Sequence, residues 1–225
     1  MIRLLSLLFS IFMSMTAAFG AESLDSILAA RGYVDVSAIS PDILVRLMYA
    51  RDDNFTGHLL YEPEVLSRAW LHPDAAVALG NAQAILTREA SGTRLLVKDA
   101  ARPMSVQRSM FSSVKGTPKA NYVANPAKGG GLHNFGLAVD ITLADARGNE
   151  LPMGTPVDHL GPEANIDREQ QLVRQGVISE TERQNRLLLR RVMRQAGFRT
   201  IRTEWWHFNL CPLSVARQKY KLIDF

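Results

Sequence analysis

Cysteine is almost absent: Cys211 stands alone among 225 residues. That excludes an intramolecular disulfide and leaves the fold to its apolar core and to any metal it holds. Long apolar runs are missing after residue 20, so nothing beyond that point reaches the roughly 20 residues needed to span a bilayer. Dense basic blocks are missing too. Lys and Arg number 26 against 22 Asp and Glu, but they are scattered, and the net charge of +4 argues for solubility, with some affinity for an anionic envelope, rather than for a nucleic-acid surface. There is no internal repeat and no low-complexity tract. What remains is an ordinary globular balance, 47% hydrophobic and 21% charged, sufficient for one domain over residues 21–225.

The first twenty residues read as a secretory signal peptide. Arg3 precedes an apolar run from Leu4 to Met15, and Thr16-Ala17-Ala18-Phe19-Gly20 supplies small residues for cleavage before Ala21. The alternative is an uncleaved membrane anchor, against which the shortness of the run counts. No cysteine lies near the cut, so lipid attachment is not supported. Cleavage removes Arg3, the one charged residue of the leader, and takes the net charge from +4 to +3. The mature chain is therefore expected to be periplasmic or otherwise secreted, with no membrane span.

Further along, Tyr33 to Ala50 reads as extended chain, and Asp52 to Gly57 as a turn or loop. Pro63 to Trp70 and Pro73 to Glu89 have helical spacing, with Pro73 suited to a first turn. Arg94 to Asp99 predicts a strand, with Arg102-Pro103 directly after it. A helix over Ser105 to Val114 gives way to a Gly-, Pro-, Asn- and Lys-rich stretch, Lys115 to Gly131, that predicts a long surface loop. Leu137 to Leu143 alternates as a strand with one buried face, Asp140 opposing Val139 and Ile141. Ile178 to Ala196 predicts the clearest helix, capped by Ser179 and Glu182 and stopped by Gly197. Two more strands are expected at Phe198 to Ile201 and Trp205 to Leu210.

Two of the five histidines stand beside carboxylates in patterns that suit a zinc site: His133-x6-Asp140 and Glu204-Trp205-Trp206-His207. A catalytic zinc takes three protein ligands and keeps a fourth position open; His133, Asp140 and His207 supply three. On one uninterrupted strand His133 and Asp140 would face opposite sides, so a bend is required, and Asn134-Phe135-Gly136 provides it. Glu204 is then free to act as general base on water made acidic by the metal. Arg102 is the candidate stabiliser of the oxyanion that attack on a peptide carbonyl creates. Each residue alone has a plainer reading: a lone His or Asp is usually a structural hydrogen bonder, Trp205 and Trp206 are core, and Arg102 is a surface arginine at a turn.

Taken together, the motifs resemble the D-alanyl-D-alanine dipeptidases of the vancomycin-resistance type, within a wider group of zinc D,D-peptidases. Five motifs in register carry the resemblance: Tyr49-Ala50-x-x-Asp53-Asn54-Phe55-Thr56-Gly57, Asp99-x-x-Arg102-Pro103, His133-x-x-Gly136-x-Ala138-x-Asp140, Met153-Gly154-Thr155-Pro156-x-Asp158 and Glu204-Trp205-Trp206-His207. They span about Tyr33 to Leu210. The resemblance implies an α+β fold of the D,D-peptidase/hedgehog-like kind, in which a small, mainly antiparallel sheet carries the zinc site and helices flank it. It implies the same roles for His133, Asp140, His207, Glu204 and Arg102, one Zn2+ per chain, and Asp158 as anchor for the substrate's free ammonium group. Tyr49 either assists Asp158 or is an aromatic packed at a strand end. Two positions depart from the family pattern. Gly131 replaces a serine two places before the first histidine ligand, and Ala101 replaces an aromatic before the arginine, which predicts a wider pocket wall.

The resemblance thus implies hydrolysis of D-Ala-D-Ala or related D,D-dipeptides to free amino acids, in cell-wall fragment turnover or salvage. A peptidoglycan D,D- or L,D-carboxypeptidase is the first alternative and a non-catalytic envelope-binding module the second. Asp158 separates the first two, because a carboxypeptidase acts far from any free amine.

Overall fold

The computed structural model describes residues 22–225; the signal peptide read over residues 1–20, and its cleavage before Ala21, lie outside the described residues. Along the chain, α1 (Leu24–Ala30) leads to β1 (Val34–Asp35), β2 (Leu44–Val45) and β3 (Trp70–Leu71). Next come α2 (Pro73–Glu89), β4 (Arg94–Asp99), α3 (Met104–Val114) and β5 (Ala138–Ala144). The chain closes with α4 (Glu169–Arg174), α5 (Glu180–Gln195), β6 (Arg199–Thr200), β7 (His207–Asn209) and α6 (Leu213–Lys219). None of the described helices is long and apolar enough to cross a membrane.

Five strands form one sheet in the order β2-β4-β5-β7-β6, antiparallel except for the β2/β4 pair. β1 and β3 form a separate antiparallel ribbon. This is the expected α+β architecture. β5 is its centre, and the structure corrects the one-sided burial expected there: all seven of its residues are buried. One reason is that α2 and α5 pack on each other, α2 on β4 and α5 on β5. Leu79 and Leu86 of α2 and Leu189, Val192 and Met193 of α5 are among the helical contributions to this core. Truncating one such leucine to alanine costs about 2–5 kcal/mol.

Local signals account for the two long helices. Pro73 occupies the first turn of α2, and the His72 ring caps it by accepting from the Asp74 N–H at 3.2 Å. On α5, Ser179 and Glu182 form the reciprocal capping box, and Gly197, at φ 99°, ends the turn that follows.

The helix expected over Pro63 to Trp70 does not form. Its backbone is claimed by tertiary partners instead: the Asp25 carboxylate accepts from the N–H groups of Ser67 and Arg68, and Trp70 enters β3 opposite Asp35. The extended reading of Tyr33 to Ala50 holds only in pieces. β1 and β2 are two residues each, and short 3-10 turns at Val36–Ala38 and Met48–Ala50 interrupt them. Lys115 to Gly131 is the loop the composition predicted, tightened by 3-10 turns at Pro118–Asn121 and Pro126–Lys128. Helices α1, α4 and α6 carried no reading in the sequence; each has six or seven residues.

One irregularity of the sheet bears on function. Between Val97 and Asp99 the β4/β5 register shifts, so that Val97 faces Ile141 and Asp99 faces Asp140. The extra residue on β4 is a bulge, which re-aims the strand end. It places two carboxylates opposite one another, and Arg102 lies between them.

Candidate active site

The two ends of β5 and β7 that meet in register supply the first two site residues: Asp140 pairs with His207 across the strands. His133 arrives from a 3-10 turn, Leu132–Phe135, that precedes β5. Gly136 ends that turn in the left-handed region at φ 66°. A Cβ there would stand 2.6 Å from Tyr33 Cε1 and 3.0 Å from the His72 N, so the bend expected at this glycine is both conformational and steric. The result is a compact donor set. His133 Nε2 lies 3.2 Å from Asp140 Oδ2 and 3.2 Å from His207 Nδ1, and His207 Nδ1 lies 2.9 Å from Asp140 Oδ1.

The outer ring nitrogens explain why this set fits a cation. His133 Nδ1 is 2.6 Å from the Ala100 carbonyl and therefore donates its proton there. His207 Nε2 is 2.8 Å from Asn209 Oδ1 and donates likewise. In the neutral rings the inner nitrogens then carry bare lone pairs, and both point at the Asp140 carboxylate and at each other. Such convergence of acceptors is repulsive until a positive charge lies between them, and backbone or side-chain oxygens behind metal-ligating histidines are the usual support. Among the described residues this is the one group of at least three His, Cys, Asp or Glu side chains close enough to share an ion, its ligand atoms all within 4.8 Å of one another. With a proton between the rings and the carboxylate in place of a metal, His133 and His207 hold the Asp140 carboxyl well below the usual carboxylate range against the effect of burial.

Glu204 stands beside this cluster rather than in it, with Oε2 3.8 Å from His207 Nδ1. Among the described residues its carboxylate receives no hydrogen bond, and burial pushes its pKa up to about 8. A group poised near neutrality can both take and return a proton. Trp205 and Trp206, next in the chain, are 2% and 1% exposed and are core, as the plainer reading had it.

Arg102 is no surface arginine. It is buried, its Nε donates to Asp99 Oδ2 at 2.9 Å, its Nη2 to the same oxygen, and its Nη1 to Gln107 Oε1 at 3.1 Å. Nη2 also lies 3.6 Å from Asp140 Oδ2. Desolvation opposes its charge, but Asp99 holds its pKa well above the ordinary arginine value. Three of its five N–H donors are engaged by these bonds, which leaves two for a ligand. Asp99 also accepts from the Tyr61 hydroxyl at 2.6 Å.

Asp158 is the only described non-glycine residue with positive φ, at 64°. A side chain held in that region is costly and concentrates at functional sites. Its carboxyl is pushed up to about 7, first by burial and then by the Asp140 charge. Tyr49 donates its hydroxyl to Asp158 Oδ2. Its ring also packs edge-on against Phe55 and Tyr61, as an aromatic packing residue would. It sits on a 3-10 turn, however, not at a strand end.

All seven residues, His133, Asp140, His207, Glu204, Arg102, Asp158 and Tyr49, line one cleft of about 230 Å³. Loop residues Phe55, Tyr122 and Leu160 wall it. Gly131 lines it too, without the hydroxyl a serine would bring. Ala101 does not: it is buried, with its N–H on the Trp70 carbonyl at 2.8 Å. Asn209 and Gln107, which orient His207 and Arg102, were not singled out in the sequence, and Asp99, present in the motif with Arg102, was given no role there. Asn209 had a usable signal, because it lies two residues after His207 and strand side chains share a face at that spacing. Gln107 had none.

Comparison with known proteins agrees with this geometry. Residues 29–223 match the family model described as D-ala-D-ala dipeptidase, peptidase M15. The D-alanyl-D-alanine dipeptidase of Escherichia coli (strain K12) is 36% identical over 177 residues, covering 79% of this chain and 83% of the relative. Those of Enterococcus faecalis (strain ATCC 700802 / V583) and Enterococcus faecium are 31% and 30% identical, each covering 72% of this chain and 83% of the relative. The chain therefore belongs to the D-ala-D-ala dipeptidase family of metal-dependent peptidases.

Proposed function

We propose that this chain hydrolyses D-Ala-D-Ala, or a closely related D,D-dipeptide, to free amino acids, with zinc held by His133, Asp140 and His207. The observation that carries the reading is that the half-buried Asp158 carboxyl shares one cleft with the His133, Asp140 and His207 cluster, Glu204 and Arg102. A mixed set of two imidazoles and one carboxylate suits zinc, which keeps a fourth position open in catalytic sites. When bound, zinc supplies Lewis acidity that makes water acidic enough to ionise near neutral pH.

The chain's own residues divide the remaining work. Asp158 pairs with the substrate ammonium, and the Tyr49 hydroxyl keeps its carboxylate in place. Glu204 takes the proton from the attacking water. The two unengaged N–H groups of Arg102 stabilise the carbonyl oxygen as it becomes negative, and Asp99 and Gln107 keep the guanidinium from turning away. Glu204 then gives its proton to the nitrogen of the leaving amino acid.

Export through the leader at residues 1–20 would put this activity in the periplasm, where dipeptides arise from cell-wall fragments, so salvage is the role the reading favours. A substrate panel tests it: free D-Ala-D-Ala, its N-acetylated form and a peptidoglycan stem ending in D-Ala-D-Ala. The expected result is rapid release of D-alanine from the free dipeptide alone. Equal or faster release from the blocked dipeptide or the stem would make the protein a carboxypeptidase.

A further inference from the structure

The motif Met153-Gly154-Thr155-Pro156 takes no part in the chemistry above, yet it opens the segment that carries Asp158. Arg186 of α5 lies against that segment and is 0% exposed. Its ion pair with Glu169 is stretched to 4.0 Å, so the charge is not neutralised by a close carboxylate, and burying an arginine without one is costly. Its donors go elsewhere. Nε donates to the Met153 carbonyl at 2.6 Å, Nη2 to Thr155 Oγ1 at 3.3 Å and Nη1 to the Glu163 carbonyl at 3.0 Å. Thr155 Oγ1 also accepts from Trp205 Nε1 at 2.8 Å, and the Arg186 guanidinium lies 5.5 Å from the centre of the Trp205 ring.

Neighbouring details have the same consequence. Asn185 donates to the Pro152 carbonyl at 2.8 Å. Gly154, at φ 80°, lets the segment press onto α5's entry, because a Cβ there would stand 2.5 Å from Ile178 Cγ2. Residues 153 and 163 are thus fixed to one side chain of one helix, and Asp158 lies midway between them in its left-handed conformation.

We propose that Arg186 is a positioning residue for the amine end of the substrate: it clamps residues 153–163 to α5 and to Trp205, and thereby holds Asp158 in the cleft that Glu204 lines. The proposal rests on the dipeptidase reading of Asp158. Only a planar fork reaches two carbonyls and a hydroxyl from one helical position. A lysine would present a single point of charge, and a methionine would leave both carbonyls unpaired.

The test uses the zinc-loaded full chain and begins with wild-type hydrolysis of D-Ala-D-Ala, which judges the dipeptidase reading by itself. For Arg186→Met the expected result is a roughly ten- to hundredfold loss of kcat/KM, carried by KM, with kcat and metal content nearly unchanged. Amide exchange should quicken over residues 153–163 while β5 keeps its protection. In an Asp158→Asn background, Arg186→Met should cost little more, since both changes act on one anchor. If Arg186→Met does not fold, Thr155→Val, which removes the shared hydroxyl, should show the same KM increase at smaller size. A loss carried by kcat with KM unchanged, a full multiplicative loss in the double variant, or exchange unaltered over 153–163 would overturn the clamp. If the wild type releases no D-alanine, the dipeptidase reading falls, and exchange over 153–163 in Arg186→Met still decides whether the clamp exists.

Discussion

At the scale of single residues, burial sets the chemistry more than charge count does. Asp158 and Glu204 are ordinary carboxylates whose pKa values rise to about 7 and about 8 because they are desolvated beside Asp140. For Asp158 the consequence for stability has a definite sign. Its value is 3.8 in the unfolded reference and about 7 when folded, so between those pH values the folded chain holds a proton that the unfolded chain has lost. Stability of the metal-free protein should therefore fall as pH rises through this window, and Asp158→Asn should flatten part of the fall. Urea midpoints across the window check this; identical slopes in the two proteins would refute it. On activity, Asp158→Ala should lower kcat/KM for the free dipeptide about 30-fold or more, the cost of leaving a buried ammonium unpaired. Steady-state kinetics with free and N-acetylated dipeptide decide whether that loss is tied to the amine.

Elements matter because the site residues come from different ones. β5 and β7 bring Asp140 and His207 together by register, whereas His133 depends on a turn whose geometry Gly136 makes possible. Gly136→Ala should cost roughly 1–2 kcal/mol for the left-handed backbone alone, with more from the contact with Tyr33. Melting temperature and metal affinity should fall together in this variant, and an unchanged metal affinity would show that the turn does not set the position of His133. The sequence was most legible at this scale where signals were local. The α5 capping box, the α2 proline and the glycine bend are each written within a few residues. The Pro63 to Trp70 segment failed for the opposite reason: Asp25, far away in sequence, takes its N–H groups. The two-sided burial of β5 and the bulge at Lys98 were also illegible, since both depend on what packs against the strand rather than on its own alternation.

For the molecule as a whole, the cleft is where the sheet end, the 3-10 turn and three loops converge, and no disulfide helps to hold them, Cys211 being free. Metal binding should therefore stabilise the fold. At free metal about 100 times its Kd, a site present only in the folded state adds about 2.7 kcal/mol, so chelation should lower the melting temperature and zinc should restore it. That His133, Asp140, His207, Glu204 and Arg102 gather in one cleft was readable from motif spacing and resemblance, because chemistry restricts which residue types suit such a site. Gln107 and Arg186 were not, because each acts through contacts that only the folded chain creates, whereas Asp99 stood in the motif with Arg102 and Asn209 at strand spacing from His207. In the proposed reaction Glu204 moves the proton while three other side chains hold the metal. The most direct test is D-alanine release from D-Ala-D-Ala by wild type and Glu204→Ala at equal zinc content. Wild type should release two D-alanines per dipeptide and the variant should run about 10²- to 10⁴-fold slower; near-equal rates at equal zinc would rule out Glu204 as the base.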